Sequence, residues 1–158
     1  MKLEKVISPI KNEMESFRKL LKKSISSNNI LIDEVINYIL KRKGKQIRPV
    51  IVFLSSGICG KINDSTLRAA VLIEILHTAT LIHDDVVDES NYRRGYFSIN
   101  AIWKNKYSVL IGDYLLSSGL TFSLENDDFK FLKVLSNSVK EMSEGEIIQM
   151  KKSKSLDL

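Results

Sequence analysis

The stretch Ala69–Asp88, AAVLIEILHTATLIHDDVVD, decides how this chain of 158 residues is understood. Its long apolar run predicts a buried α-helix rather than a surface segment. Near the end of this helix, Asp84 and Asp88 are four residues apart and therefore share one face, while Asp85 is rotated by about 100° to the side. Three carboxylates at the end of a buried helix need a partner.

The acidic cluster favours a bound cation. Like charges four residues apart repel, and the C-terminal end of a helix carries partial negative charge, so these acids destabilise the helix on their own. Carboxylates without Cys or His at ligand spacing suit a hard cation such as Mg²⁺, which is held by one or two carboxylates together with substrate phosphate oxygens. The alternative is a solvated helix end, and the cluster alone does not decide between them.

Composition indicates one ordinary globular domain. The chain is 44% hydrophobic and 27% charged, and its net charge is +5, from 24 basic and 19 acidic residues. The partly grouped basic residues suit anionic partners such as phosphorylated metabolites, nucleic acid or membrane surfaces. A single cysteine, Cys59, fits a reducing compartment and is expected to be a small core residue.

Neither a secretory signal nor a membrane anchor is expected. The first residues lack the apolar segment of a signal peptide, so the expected location is the cytoplasm. The run 69–82 is shorter than the roughly 20 apolar residues of a membrane span, and it contains Glu74 and His77.

The remaining periodicity predicts an all-α fold. No strand alternation or internal repeat is present. Candidate core residues on the last helix include Met142, Ile147 and Ile148, whereas Glu146 and Gln149 are typical of an exposed polar face. The other helices are expected at 3–25 with a kink at Pro9, at 31–40, from Pro49 to Leu54, at 108–122 and at 129–152.

Two basic segments are candidate anion sites. Lys45 and Arg48 lie just before Pro49, at the start of the predicted helix, where free backbone N–H groups and the helix dipole attract anions. Arg93 and Arg94 follow the acidic cluster closely, which suits either a salt-bridge network or a phosphorylated substrate bound by both metal and guanidinium groups. A basic loop that contacts only water is the alternative for the first segment.

These motifs together closely resemble the trans-isoprenyl diphosphate synthases, the polyprenyl synthetase family. The resemblance rests on GKQIRP at 44–49, HTATLIHDDVVD at 77–88 and RRG at 93–95, supported by GDYLL at 112–116 and GEIIQ at 145–149. It implies a truncated bundle of antiparallel helices of the isoprenoid synthase type. Residues 1–158 would form the N-terminal part of a single domain, without the C-terminal half that carries the second Asp-rich motif.

The resemblance also implies an activity, the head-to-tail condensation of isopentenyl diphosphate with an allylic prenyl diphosphate. Mg²⁺ would assist ionisation of the allylic C–O bond, with Asp84 and Asp88 as metal ligands and Asp85 in support. Arg93 would hold the allylic diphosphate and Gln149 would line its site. By the same motifs, isopentenyl diphosphate would be bound by Lys45, Arg48, His77 and Arg94. His77, by itself an ordinary core histidine, thus becomes a candidate substrate ligand.

The same resemblance implies a product pocket below the acids. Family members close this pocket with bulky aromatic residues just before the first aspartate motif, whereas Ala79 and Thr80 here are small. With Leu76 and Ile73 further along, the expected product is a medium or long polyprenyl chain.

Two further expectations concern partners. Helices at 108–122 and 129–152 correspond to the family's dimer interface, so a homodimer is expected, with peripheral membrane contact only through the product. A nucleic-acid module is disfavoured because the charge is spread over several elements. The alternative to an enzyme is a noncatalytic partner or truncated paralogue that associates with a full-length synthase.

Overall fold

Helices form nearly all of the chain in the computed structural model, which describes residues 3–41, 44–93 and 95–156. One short antiparallel hairpin, formed by β1 (Tyr92–Arg93) and β2 (Tyr96–Phe97), interrupts them. The helices are α1 (Leu3–Ile7), α2 (Lys11–Ile25), α3 (Ile30–Lys41), α4 (Ile47–Cys59), α5 (Asp64–Val87), α6 (Ile99–Glu125) and α7 (Phe129–Leu156). The predicted all-α class is confirmed.

The chain divides into two compact units. The first extends to Phe122 and contains α1 to α5, the hairpin and most of α6. The second begins at Ser123 and contains α7.

The first unit is built around α5. This helix begins at a capping box in which the Asn63 side chain accepts the Thr66 N–H at 3.0 Å and the Thr66 side chain faces the Asn63 N–H. The helix packs against α4 and α2. Its 24 residues are long and apolar enough for a membrane span by length and composition alone. Its packing identifies it as the core helix of this unit, with Ala70, Val71, Leu72, Ile75, Leu76, Ala79 and Ile82 buried.

Helix α2 supplies the other side of the core. Met14, Phe17, Leu21 and Ile25 recur at intervals of three and four residues and are all buried. The Phe17 ring meets the ring of Phe53 from α4 edge to face, with centroids 6.4 Å apart. Each such large apolar side chain contributes about 1.5–3 kcal/mol on burial, so α2, α4 and α5 form the stable frame of the unit.

Several predicted boundaries differ from the structure. The break at Pro9 is confirmed as a 3₁₀ turn, Ser8–Ile10, between α1 and α2. Helix α4 continues to Cys59, well beyond the predicted end at Leu54, because one glycine, Gly57, costs only about 1 kcal/mol in a helix that packs well. The prediction that Cys59 is a core residue was wrong, since its side chain is exposed.

Three predicted core residues of α7 are also exposed. Met142, Ile147 and Ile148 each present more than half of their accessible surface to solvent. The periodic pattern correctly identified a helix with an apolar side. It does not show whether another segment covers that side, so their assignment to the core of this chain was wrong.

The hairpin was not predicted, because two-residue strands are too short to show alternation. Tyr92 pairs with Phe97 and Arg93 with Tyr96. Gly95 lies in the turn with φ +82°, a conformation that glycine adopts without steric cost. Helix α6 follows, and a non-helical residue at Lys104 (φ 69°, ψ 160°) divides it into two helical segments, which explains why the sequence pattern predicted only its later part.

Helices α5 and α6 approach closely at two glycines. A methyl group on Gly112 would overlap the imidazole ring of His83, whose Nε2 lies 3.3 Å from the Val109 carbonyl oxygen and from Asp113 Oδ1. A methyl group on Gly119 would lie 3.2 Å from Ile75 and 3.3 Å from Leu72. The His83 side chain therefore packs against α6 at Gly112.

We predict that Gly112→Ala destabilises the chain by about 1–3 kcal/mol, because the added methyl group forces His83 or α6 to move. Gly57→Ala is the matched control, since a methyl group there meets only Ile62, at 3.9 Å. It is expected to be neutral or slightly stabilising. Urea unfolding of both variants tests this, and equal stability of the two would contradict the close approach.

Candidate active site

A capping motif fixes the acidic end of α5. The Asp88 N–H donates to the Asp84 carbonyl at 2.8 Å, and the Ser90 N–H donates to the Asp85 carbonyl at 2.9 Å. Glu89, with φ +50°, is left-handed, and its N–H donates to the Val86 carbonyl at 3.3 Å. This pattern is a Schellman motif, which satisfies the last helix carbonyls and ends α5 directly after the acids.

Asp85 is the buried member of the cluster, with only 4% of its surface exposed. Arg93 Nε on the hairpin donates to Asp85 Oδ1 at 2.7 Å, so the charge is paired. The Asp85 carbonyl also accepts from Asn100 Nδ2 at 3.2 Å. A buried carboxylate without such a partner would be strongly unfavourable. The acidic end, the hairpin and the start of α6 are therefore held together through one residue.

A second connection runs beside the first. Ser98 Oγ donates to the Ser90 carbonyl at 2.6 Å, and the Ser98 N–H donates to the Asn91 carbonyl at 3.0 Å. On the outer side, Tyr38 of α3 donates its hydroxyl to the Phe97 carbonyl at 2.8 Å and packs edge to face on Trp103. The hairpin is thus fixed from both sides.

A cavity of about 740 Å³ opens in the first unit beside these residues. This volume lies within the range of small-molecule sites. Its walls come from the end of α3, the loop 44–46, the start of α4, one face of α5 and the hairpin. The lining includes Leu21, Tyr38, Ile39, Leu40, Lys41, Lys45, Gln46, Arg48, Glu74, His77, Thr78, Leu81, Ile82, Asp85, Arg93, Tyr96, Phe97, Ser98 and Ile99.

The cavity suits an anion. Among the described residues that line it, four carry a positive charge, Lys41, Lys45, Arg48 and Arg93, and two carry a negative charge, Glu74 and Asp85. Asp85 already faces Arg93. The N-terminal end of α4 adds its dipole and unpaired N–H groups at the same wall. Lys45 and Arg48 are exposed, so both are accessible to a ligand.

The structure brings together five of the residues that the sequence singled out, Lys45, Arg48, His77, Asp85 and Arg93. Arg94 lies outside the described residues. Gln149 is an exposed residue of α7 in the second unit. The roles assigned to all of these residues stay predictions.

Asp84 and Asp88 are not among the residues that line the cavity, although Asp84 lies seven residues after His77 and therefore on the same face of α5. Asp84 is half-buried and Asp88 is exposed. No group of three or more His, Cys, Asp or Glu side chains is placed to hold a metal within the described ranges. Two carboxylates one turn apart still fit a hard cation, because Mg²⁺ commonly takes only one or two carboxylates and completes its shell with water and phosphate oxygens.

None of the four predicted pocket residues is among those that line the cavity. Ala79 and Leu76 are buried, with 2% and 7% of their surface exposed, while Ile73 and Thr80 are half-buried. Leu76 Cδ2 lies 3.7 Å from the position of a methyl group on Gly119, so the Leu76 side chain is directed at α6. Their role in chain length stays a prediction.

Sequence reasoning missed several residues of the cavity wall. Gln46 stands inside the GKQIRP motif, so its position could have been inferred from its neighbours. Tyr38, Tyr96 and Phe97 carry no local pattern that predicts a site, because the hairpin and the tertiary contact of α3 bring them there.

Comparison with known proteins places the chain among prenyl diphosphate synthases by sequence and fold. The family model for polyprenyl synthetase matches residues 29–158. An all-trans-nonaprenyl-diphosphate synthase of Rhodobacter capsulatus is 36% identical over 146 residues, which make up 92% of this chain and 45% of that protein. Heptaprenyl diphosphate synthase component 2 of Bacillus subtilis is 34% identical over 152 residues, which make up 96% of this chain and 43% of that protein.

A solved structure has the same fold. The polyprenyl synthase of Caulobacter crescentus CB15, in complex with calcium and isoprenyl diphosphate, is similar with a TM-score of 0.87 and 30% identity. The match covers 94% of this chain and 45% of that one. The chain therefore spans less than half the length of these relatives.

We predict that Arg93→Ala destabilises the chain by about 1–3 kcal/mol, since it leaves the buried Asp85 carboxylate without its partner. The double variant Asp85→Asn, Arg93→Ala should recover part of this loss because no charge remains buried. Lys140→Ala is the control, as it removes a solvent-exposed pair with Glu144 at 3.8 Å that is worth at most about 0.5 kcal/mol. Equal unfolding free energies for Arg93→Ala and Lys140→Ala would show that the buried pair is unimportant.

Proposed function

The chain belongs to the polyprenyl synthetase family, and from that premise we propose that it forms the isopentenyl diphosphate-binding half of a trans-prenyltransferase. Condensation of isopentenyl diphosphate with an allylic prenyl diphosphate is the proposed reaction, and a medium or long polyprenyl diphosphate is the proposed product. The observation that carries this proposal is the cavity lined by four cationic side chains, two of which, Lys45 and Arg48, belong to GKQIRP.

In this reaction the allylic C–O bond breaks, and its electron pair leaves with the diphosphate. The double bond of isopentenyl diphosphate attacks the resulting allylic cation and forms the new C–C bond. A proton then leaves the adjacent carbon and restores a double bond. Both substrates carry diphosphate groups, so the protein has to hold two polyanions close together.

Isopentenyl diphosphate is assigned to the cavity. Lys45 and Arg48 supply charge at the start of α4, and His77 lines the same cavity from α5. Arg94 is assigned to isopentenyl diphosphate by its motif only. Arg93 lines the same cavity and is oriented by Asp85 through Nε, so its remaining guanidinium N–H groups are assigned to the allylic diphosphate. Gln149 is assigned to the allylic site by its motif.

Asp84 and Asp88 would hold Mg²⁺, which would neutralise the charge on the departing diphosphate. The spacing of the two carboxylates supports this assignment, as does the calcium in the related Caulobacter enzyme. The protein's contribution is to fix both carboxylates on the last turn of α5 through the Schellman motif. Asp85 is reserved for Arg93 and so supports the site indirectly.

Half of the site has to come from elsewhere. The chain spans 45% of its nonaprenyl relative, and two aspartates make only part of a metal shell. We propose that further carboxylates come from a longer polypeptide or from a partner chain. A homodimer through the helices at 108–122 and 129–152 remains part of this proposal, together with a cytoplasmic location and membrane contact through the product.

A noncatalytic partner is the second candidate. One relative is named as a component of heptaprenyl diphosphate synthase, and α6 exposes several large apolar side chains in the first unit, Ile102, Tyr107, Val109, Leu110, Leu116 and Leu120. Such a surface suits association with another chain. In this case the cavity would bind substrate or its diphosphate without turnover.

A condensation assay with labelled isopentenyl diphosphate, farnesyl diphosphate and Mg²⁺ distinguishes the two candidates. The 158 residues alone are expected to be inactive, whereas a complete chain is expected to form product. Asp84→Ala in the complete chain should reduce turnover at least about 100-fold, since charge stabilisation at the leaving group is lost. Asp64→Ala, at the opposite end of α5, is the control and should retain activity.

Turnover by the 158 residues alone would contradict the need for a second half. More than about one tenth of wild-type activity in Asp84→Ala would contradict the metal assignment. An inactive complete chain that nevertheless raises the activity of a full-length synthase would favour the noncatalytic partner.

Product length tests the small residues of α5. We predict that Ala79→Phe and Thr80→Phe in a complete chain shorten the product, because a ring at either position would block the growing chain. Thr80 is half-buried and so tolerates the larger side chain better than Ala79 does. Chromatography of the dephosphorylated products gives the chain length, and an unchanged product from both variants would show that the pocket lies elsewhere.

A further inference from the structure

Gln46 has an unusual backbone in the loop that carries the cationic residues. It stands between Lys45 and Arg48 and immediately precedes α4. Its φ and ψ are 48° and 43°, the left-handed helical conformation, and its side chain makes no capping hydrogen bond to α4. This conformation costs a residue other than glycine about 1–2 kcal/mol, so contacts outside the backbone have to maintain it.

Arg18 of α2 supplies such a contact. Its Nε donates to Gln46 Oε1 at 3.0 Å, across 28 positions of sequence. The neighbouring Phe17 is fully buried and meets Phe53 of α4. The Phe17–Phe53 contact already packs α2 against α4. Because Arg18 is next to Phe17 on α2, its backbone is fixed relative to the loop that precedes α4.

The contact reaches the cavity only through Gln46. Gln46 is part of the cavity wall, as are Lys45 and Arg48 on either side, whereas Arg18 is not among the lining residues. Direct contact between the Arg18 guanidinium and an anion in the cavity is therefore not required for its effect. The Gln46 carbonyl also accepts a long hydrogen bond, 3.3 Å, from the Val50 N–H.

We propose that Arg18 is a positioning residue for the diphosphate site. By holding Gln46 in the left-handed conformation, it directs Lys45 and Arg48 into the cavity and aligns the first N–H groups of α4 with a bound phosphate. This inference rests on the proposed function, since it assumes that a diphosphate occupies the cavity. It adds a residue outside the motifs, on a helix that does not otherwise contribute to the cationic wall.

The effect is expected on binding rather than on global stability. An exposed hydrogen bond contributes little to unfolding free energy, and the buried side of α2 is untouched when Arg18 changes. Gln46, in contrast, loses its side-chain hydrogen bond to α2, so its left-handed conformation becomes less populated. The apparent affinity of a ligand that requires that conformation then falls in proportion to the population of the conformation.

Calorimetric titration of the 158-residue chain with inorganic diphosphate at low ionic strength tests the proposal. Arg18→Ala should weaken binding about fivefold, which corresponds to about 1 kcal/mol, the net contribution of one hydrogen bond. Lys19→Ala is the matched control, because it removes one exposed positive charge from the same helix without touching Gln46. Arg18→Lys keeps a donor and the charge and should remain within about twofold of the wild type.

Variants of Gln46 test whether Arg18 affects diphosphate binding through Gln46. Gln46→Ala should weaken binding as much as Arg18→Ala, and the double variant should lose no more than either single variant. Gln46→Gly removes the steric cost of the left-handed conformation, so Arg18→Ala should have little further effect in that background. Thermal melting of Arg18→Ala and Lys19→Ala should agree within about one degree, in keeping with a small contribution of either exposed side chain.

Equal affinities of Arg18→Ala and Lys19→Ala would overturn this inference while leaving the proposed function intact. Additive losses in the double variant would also overturn it, because Arg18 would then act independently of Gln46. Failure of the wild-type chain to bind diphosphate would overturn the proposed site, and this inference with it.

Discussion

A carboxylate buried at the end of an apolar helix requires a cation beside it, and in this chain Arg93 meets that requirement for Asp85. The pair determines much of the architecture around the site. It holds the hairpin against the last turn of α5, and the Asp85 carbonyl holds Asn100 at the start of α6. With Asp85 occupied in this way, Asp84 and Asp88 remain the carboxylates of the cluster assigned to a metal.

Helix α5 therefore carries parts of both proposed substrate sites. One side, with His77, Leu81 and Asp85, faces the cationic cavity and suits the nonallylic diphosphate. Asp84 and Asp88 continue the row of His77 and Leu81 along the helix, whereas Leu76 packs towards α6 near Gly119. The proposed sites of the two diphosphates therefore follow one another along a single helix, as a condensation between the two substrates requires.

Much of this could be predicted from the sequence because the motifs are local. The acidic cluster, the GKQIRP loop and the arginine pair each lie within a dozen residues, and their chemistry is evident from residue type and spacing. Tyr38 and the hairpin could not be predicted, since their positions depend on contacts between distant segments. Helix α7 shows the same limit. Ile147 and Ile148 follow a helical pattern, but the pattern does not identify which segment packs on them.

The central claim is that the cavity binds isopentenyl diphosphate through Lys45, Arg48 and His77. Titration of the ¹⁵N-labelled chain with this compound, followed by two-dimensional NMR, tests the claim most directly. The account predicts saturable shifts at the backbone amides of 44–48 and around His77 and Arg93, with α1 unaffected. Shifts confined to other regions, or none at millimolar ligand, would contradict it.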